Sequence, residues 1–179
     1  YNPSGKLPMS FPRNVGQIPI YYNHGNTGRP EGTQEDMVFW SHYMDVENTP
    51  LYPFGFGLSY TTFSYDHLRM EKENYTIGED VNLSVELSNT GNYVGKEVVQ
   101  LYIRSLFGSL ARPVRELTGF ELVELKQGET QTINFTLTSD ELGYYNERGE
   151  FMVEPGEFEV YVGGSSTATF KKTFSLYVK

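Results

Sequence analysis

Between Val81 and Ser88 the chain changes character at every step. Val81, Leu83, Val85 and Leu87 are apolar, and Asn82, Ser84, Glu86 and Ser88 are polar. Only an extended strand sends alternate side chains to opposite faces, so this stretch predicts a strand with one buried and one wet face. The same period returns at Ile133, Phe135 and Leu137, at Phe158, Val160 and Val162 against Glu159 and Tyr161, and at Phe170, Phe174, Leu176 and Val178. Another strand begins at His67 to Glu71, with Leu68 and Met70 on one face. Val98 to Ile103 is a more continuous apolar run, which predicts deeper burial. Leu117 to Leu125 is a further run, with Phe120, Leu122 and Leu125 expected inside. Asn74 to Asp80 is expected to be a connection. Asn89-Thr90-Gly91-Asn92 and Gln127-Gly128-Glu129 mark turns. No helix-length periodic segment interrupts the series. The outcome is an all-β domain of about seven short antiparallel strands folded as a β-sandwich.

The first sixty residues follow no such period. Lys6 to Phe11, interrupted by Pro8, predicts one short edge strand, since proline removes a ladder donor. Val15 to Tyr22 predicts a second extended piece, and Glu31 to Tyr43 a helical turn or two with Met37, Phe39, Trp40 and Tyr43 on its apolar side. Leu51 to Phe63 then sets aromatic residues between glycines. Tyr52, Phe54, Phe56 and Tyr60 are large enough to fill a seam, while Gly55 and Gly57 let the backbone approach closely. At about 1.5–3 kcal/mol for each large side chain removed from water, these four are expected to act as a docking clamp against a neighbouring domain. Stacking on sugar rings is the other use of such aromatics.

Several chemistries are excluded or disfavoured. A net charge of -9 argues against nucleic acid and anionic membranes as partners, since both need clustered Lys and Arg. With no cysteine there is neither a disulfide framework nor a thiolate metal site. His24, His42 and His67 have no metal-ligand spacing, so no metal is expected, and His24 fits a hydrogen-bonded loop anchor. Gly55-Phe56-Gly57 lacks the rest of a dinucleotide fingerprint, and no cofactor is implied. Glu31, Glu35, Asp36, Asp45 and Glu47 gather around Trp40. They permit a sugar platform with a flanking acid, or a solvated acidic loop with one anchoring aromatic, and the second is the expectation. Asn74, Asn82 and Asn134 each open a glycosylation sequon, relevant only in a eukaryotic secretory setting. The opening Tyr1-Asn2-Pro3-Ser4-Gly5 fits the interior of a longer chain.

Taken in order, the motifs carry a resemblance. They are Asn2-Pro3-Ser4-Gly5-Lys6-Leu7-Pro8 with Phe11-Pro12, Tyr21-Tyr22-Asn23-His24, and Asn26-Thr27-Gly28-Arg29-Pro30. Leu51 to Thr61, Asn89-Thr90-Gly91, Val98-Val99-Gln100-Leu101-Tyr102, Arg112-Pro113 with Glu116-Leu117 and Gly119-Phe120, and Pro155-Gly156 with Val162-Gly163 complete the series. The series resembles the C-terminal region of glycoside hydrolase family 3, most of all the bacterial periplasmic β-glucosidases. The resemblance implies that residues 1–60 are the end of an α/β domain plus a linker. It implies that residues 61–179 are an immunoglobulin/fibronectin type III-like sandwich. It places both catalytic carboxylates in other domains, the nucleophile on a barrel and the acid/base on a loop. Neither motif matches a position here, so no catalytic residue is carried over and the substrate-binding residues stay unassigned. A retaining glycosidase needs two carboxylates about 5–5.5 Å apart. The isolated chain is therefore expected to be inactive and to brace catalytic domains, with homodimerisation as a second role. Small β-glucosides are the implied substrates of the whole enzyme, and the periplasm or cell exterior its place. A stand-alone carbohydrate-binding sandwich is the alternative, and an adhesion or spacer module a third.

Overall fold

The computed structural model describes residues 1–26 and 41–179. A three-stranded sheet holds β1 (Phe63–Met70), β3 (Val81–Asn89) and β6 (Thr130–Leu137), in the order β1-β3-β6. A five-stranded sheet holds β2 (Asn74–Thr76), β4 (Gly95–Ser105), β5 (Glu116–Leu125), β9 (Gly156–Gly163) and β10 (Phe170–Tyr177), in the order β2-β10-β9-β4-β5. A short helix, α1 (Ser139–Leu142), leads into a small hairpin of β7 (Tyr144–Tyr145) and β8 (Phe151–Met152). The sheets enclose one apolar core, so the fibronectin type III-like sandwich is the observed fold.

β3 shows why. Its odd residues are buried and its even residues half-buried along the whole strand, as the alternation requires. It pairs with β6 without a break, from Val81 opposite Leu137 to Ser88 opposite Thr130. Val81, Leu83, Val85, Leu87, Ile133 and Leu137 thereby reach the same interior as Val99, Leu101 and Ile103 of β4. β9 and β10 add Phe158, Val160, Val162, Phe174 and Leu176, with the Phe158 and Phe174 rings stacked at 5.3 Å.

Three strand expectations need correction. Asn74 to Asp80 is not purely a connection: Asn74–Thr76 forms β2, parallel to β10. Three residues are too few to show a period, yet Tyr75 is buried edge-on against Phe174. Phe120 and Leu122 are not inside; they are 68% and 56% exposed, and Val123 and Leu125 fill the core instead. The cause is a bulge, since Leu101 faces Gly119 but Tyr102 faces Leu117. Thr118 is left unmatched, and the alternation beyond it runs through Gly119, Val123 and Leu125. Val178 lies just past β10 and is exposed.

The extension is less regular than expected. Lys6 to Phe11 forms no strand, only an isolated bridge from Phe11 to Tyr52. Val15–Gln17 is a 3-10 turn rather than extended chain. Of the helical piece expected over Glu31 to Tyr43, residues 41–43 are irregular and the rest lies outside the described residues.

Candidate functional site

The linker aromatics do not hang free. Residues 7–11 run beside residues 51–56, with Leu7 N–H donating to Phe56 O, Gly55 N–H to Leu7 O, and Phe11 N–H to Tyr52 O, each at 2.8 Å. Arg13 and Gln17 fasten the same loop further out. The Arg13 guanidinium donates to Thr49 O and meets Glu47 at 2.7 Å. Gln17, a buried amide, donates to Glu47 O at 2.8 Å.

This double layer sits on the outer face of the five-stranded sheet. Phe54 stacks on Tyr22 at 4.2 Å, and Tyr22 meets Tyr102 of β4 edge-on at 5.9 Å. Gln100 of β4 is almost fully buried. Its amide donates to Gly55 O at 3.2 Å and to Gly164 O at 2.7 Å, and its oxygen accepts from the Tyr102 hydroxyl. Ser166 N–H donates to Phe54 O at 2.9 Å. Arg115 lies over the Tyr161 ring at 3.9 Å and donates to Ser166 O and Ala168 O. One arginine thus carries a cation–π contact and two loop carbonyls together, a use of its flat fork that a lysine cannot copy. Burial raises the Tyr102 phenol above its ordinary pKa, the neighbouring Tyr22 adds to this, and Arg115 opposes it.

Two further ties hold the extension. Lys6 Nζ meets Glu97 of β4 at 2.8 Å in a largely buried pair, and the Tyr65 hydroxyl donates to the same carboxylate at 2.9 Å. Burial, then the Glu97 charge and hydrogen bond, raise the Tyr65 pKa. Asn2 accepts from Ser59 Oγ and Tyr60 N–H and donates to Val94 O.

The four clamp aromatics therefore divide. Phe54 and Phe56 are half-buried, with Phe54 sealed onto the sandwich. Tyr52 and Tyr60 stay exposed, although Tyr52 lies 5.0 Å from Phe56 and 6.4 Å from Phe11. His24 serves as an anchor through its backbone, since Val114 N–H donates to His24 O and Gly25 bridges Pro113. His67 pairs with Glu86 at 2.9 Å. No cluster of His, Asp and Glu suited to a metal occurs among the described residues. Asp45 is exposed and Glu47 is tied to Arg13, while Glu31, Glu35, Asp36 and Trp40 lie outside the described residues.

Asn2, Lys6 and Gln100 enter the sequence reading only as members of quoted motifs, and Glu97 and Arg115 not at all. Gln100 had left a signal, as a lone amide inside the apolar run Val98 to Ile103. Among the described residues the geometry on this face offers shape and burial, and its buried carboxylate, Glu97, is taken up by Lys6 and Tyr65.

Comparison with known proteins fits that geometry. Residues 1–60 match the family described as the glycosyl hydrolase family 3 C-terminal domain, and residues 97–166 match the fibronectin type III-like domain. The chain is 44% identical over 176 residues to a periplasmic beta-glucosidase of Salmonella typhimurium, covering 98% of this chain and 23% of that protein. It is 44% identical over 178 residues to a beta-xylosidase of Formosa agariphila, covering 99% of this chain and 24% of the relative. A crystal structure of a beta-glucosidase from Listeria innocua in complex with isofagomine superposes with a TM-score of 0.93 at 42% identity, over 100% of this chain and 25% of the other. The chain thus spans about a quarter of the length of the relatives it matches.

Proposed function

Because the chain belongs to the C-terminal region of glycosyl hydrolase family 3, we propose that it is the accessory part of a retaining β-glucosidase. In this reading residues 61–179 are the sandwich module, and residues 1–60 form the seam that braces the preceding catalytic domains. The whole enzyme removes terminal β-linked glucose from small glycosides without a cofactor, in the periplasm or outside the cell. Its partners are those catalytic domains, its glycosides and a second copy of the chain. The names of the Salmonella and Listeria relatives support the activity, and that of the first supports the compartment.

One observation carries the bracing role. Twelve of the twenty-one exposed large apolar side chains among the described residues fall within residues 1–60, including Met9, Phe11, Ile18, Leu51, Tyr52, Leu58 and Tyr60. The backbone under them is held by hydrogen bonds, so this is a built surface of apolar side chains. A surface of that kind is the mark of an interface.

The test has two arms. The purified 179-residue chain is expected to show no turnover of an aryl β-glucoside; turnover abolished by Glu35→Gln or Asp36→Asn would overturn the accessory reading. Leu58→Ser and Tyr52→Ser should each change the stability of the isolated chain by no more than about 0.5 kcal/mol, as for exposed sites. In the full-length enzyme each should cost about 1–3 kcal/mol, because there the side chain is buried. Equal effects in both contexts would remove Tyr52 and Leu58 from the seam.

A further inference from the structure

The edges of the two sheets differ sharply in how they are protected. An edge strand offers unpaired backbone groups to any passing strand, and folded proteins blunt such edges with bulges, charges, short length or a covering loop. β1 is broken by a bulge between Asp66 and Arg69, where His67 takes a φ of +51. β2 has only three residues. β5 carries its own bulge and three glutamates, Glu116, Glu121 and Glu124. The extension also reaches β5, where Leu117 N–H donates to the Tyr22 hydroxyl at 3.2 Å.

β6 has none of these devices. Its eight residues, Thr130-Gln131-Thr132-Ile133-Asn134-Phe135-Thr136-Leu137, include no charge, no proline and no glycine. Its register with β3 is unbroken. Thr130, Gln131, Thr132, Asn134 and Thr136 are exposed. Among the described residues no backbone hydrogen bond reaches β6 from outside its own sheet.

We infer that β6 receives the β6 strand of a second copy of this chain, antiparallel, joining two three-stranded sheets into one of six. Three features point to a second copy. Two identical antiparallel strands related by a two-fold axis use the same atoms on both sides, so one edge suffices for a closed dimer. The chain carries a net charge of -9, so most surfaces of two copies repel, whereas two uncharged β6 strands meet without opposed like charges. The outer side chains are hydroxyls and amides of the kind that already bond across this sheet, as Thr136 Oγ1 does to Asn82 Oδ1 at 2.8 Å and Ser88 does with Thr130 at 2.7 Å.

The inference rests on the second copy named among the partners above but concerns residues apart from the docking seam, so each assignment can fail while the other stands. Sedimentation velocity of the 179-residue chain across a concentration series, joined to amide exchange by mass spectrometry, tests it. A dimer is expected, with protection that grows with concentration over residues 130–137. Thr132→Lys with Asn134→Lys should weaken dimerisation at least about tenfold, a difference of about 1.4 kcal/mol. The fold should survive, because the ammonium at 132 lies across from Glu86. If the double variant loses its circular dichroism signature, Thr132→Lys alone serves the same test. A chain that stays monomeric throughout, a dimer unaffected by the lysines, or a dimer whose protection falls on residues 1–60 and is lost in Leu58→Ser, each overturns the inference.

Discussion

Gln100 shows how much one side chain can decide. It sits on the outer face of a strand, where a polar residue normally meets water, yet it is buried and fully engaged by Gly55 O, Gly164 O and the Tyr102 hydroxyl. Such an amide stabilises the extension only while every partner is present, since an orphaned buried polar group costs about 1–3 kcal/mol. Gly55 is the vulnerable partner. Its φ is +78, and a Cβ there would stand 2.1 Å from Gln100 Oε1. Gly55→Ala is expected to cost about 2–4 kcal/mol in urea denaturation, combining left-handed strain with the clash. Glu159 offers a second test at this scale. Burial opposes its charge, but hydrogen bonds from Lys171 and Tyr161, with the fields of Lys171 and Arg104, outweigh it and hold the carboxyl below its ordinary pKa. A carboxyl depressed on folding stabilises the native state above its unfolded pKa, and that stabilisation fades as pH falls through the folded value. Thermal midpoints should therefore drop on acidification below a pH of about 4, and Glu159→Gln should flatten that drop while lowering the midpoint at neutral pH. These roles were hidden in the sequence because the alternation marks Glu159 and Tyr161 as outward, and outward was equated with wet. The cover comes from Gly55 and Gly164 for Gln100 and from Arg104 and Lys171 for Glu159, on other segments of the chain, which no local period reports.

At the scale of elements, the strands with one buried face were legible and the exceptions were not. β3 and β6 follow their alternation to the residue. β5 departs from it because a single unmatched residue, Thr118, sits before the run and the apolar Phe120 and Leu122 happen to be the larger side chains. Their outward placement makes a direct contrast. Leu125→Ala should cost about 2–5 kcal/mol as a core truncation. Leu122→Ala, three positions earlier in the same strand, should stay within about 0.5 kcal/mol. A reversed order in paired denaturation curves would restore the phase read from the sequence. β2 escaped notice for another reason: its place is set by parallel pairing with β10, the last strand of the chain.

For the whole molecule, the division near residue 60 was visible as a change of period, but the intimacy of the two parts was not. The extension covers Tyr102 and Gln100 and reaches the following loop at Ser166, and Lys6 completes a largely buried pair with Glu97. Residues 61–179 alone should therefore fold as a sandwich with lower stability. Such a truncated chain is expected to bind a hydrophobic dye more strongly than the full 179 residues, and to melt earlier by several degrees, since about 1 kcal/mol moves a domain of this size by roughly 2–8 °C. An unchanged midpoint would show the extension to be a passenger. The bulge, the buried amide and the arginine stack had to come from three dimensions.

Asn2 has a mechanical consequence. Its side chain joins the first residues of the chain to Ser59, Tyr60 and Val94, so the extension leaves and re-enters the sandwich at the same point. A loop pinned at its throat has no slack to pay out. Only by giving up these bonds can the chain at Asn2 part from Ser59, Tyr60 and Val94.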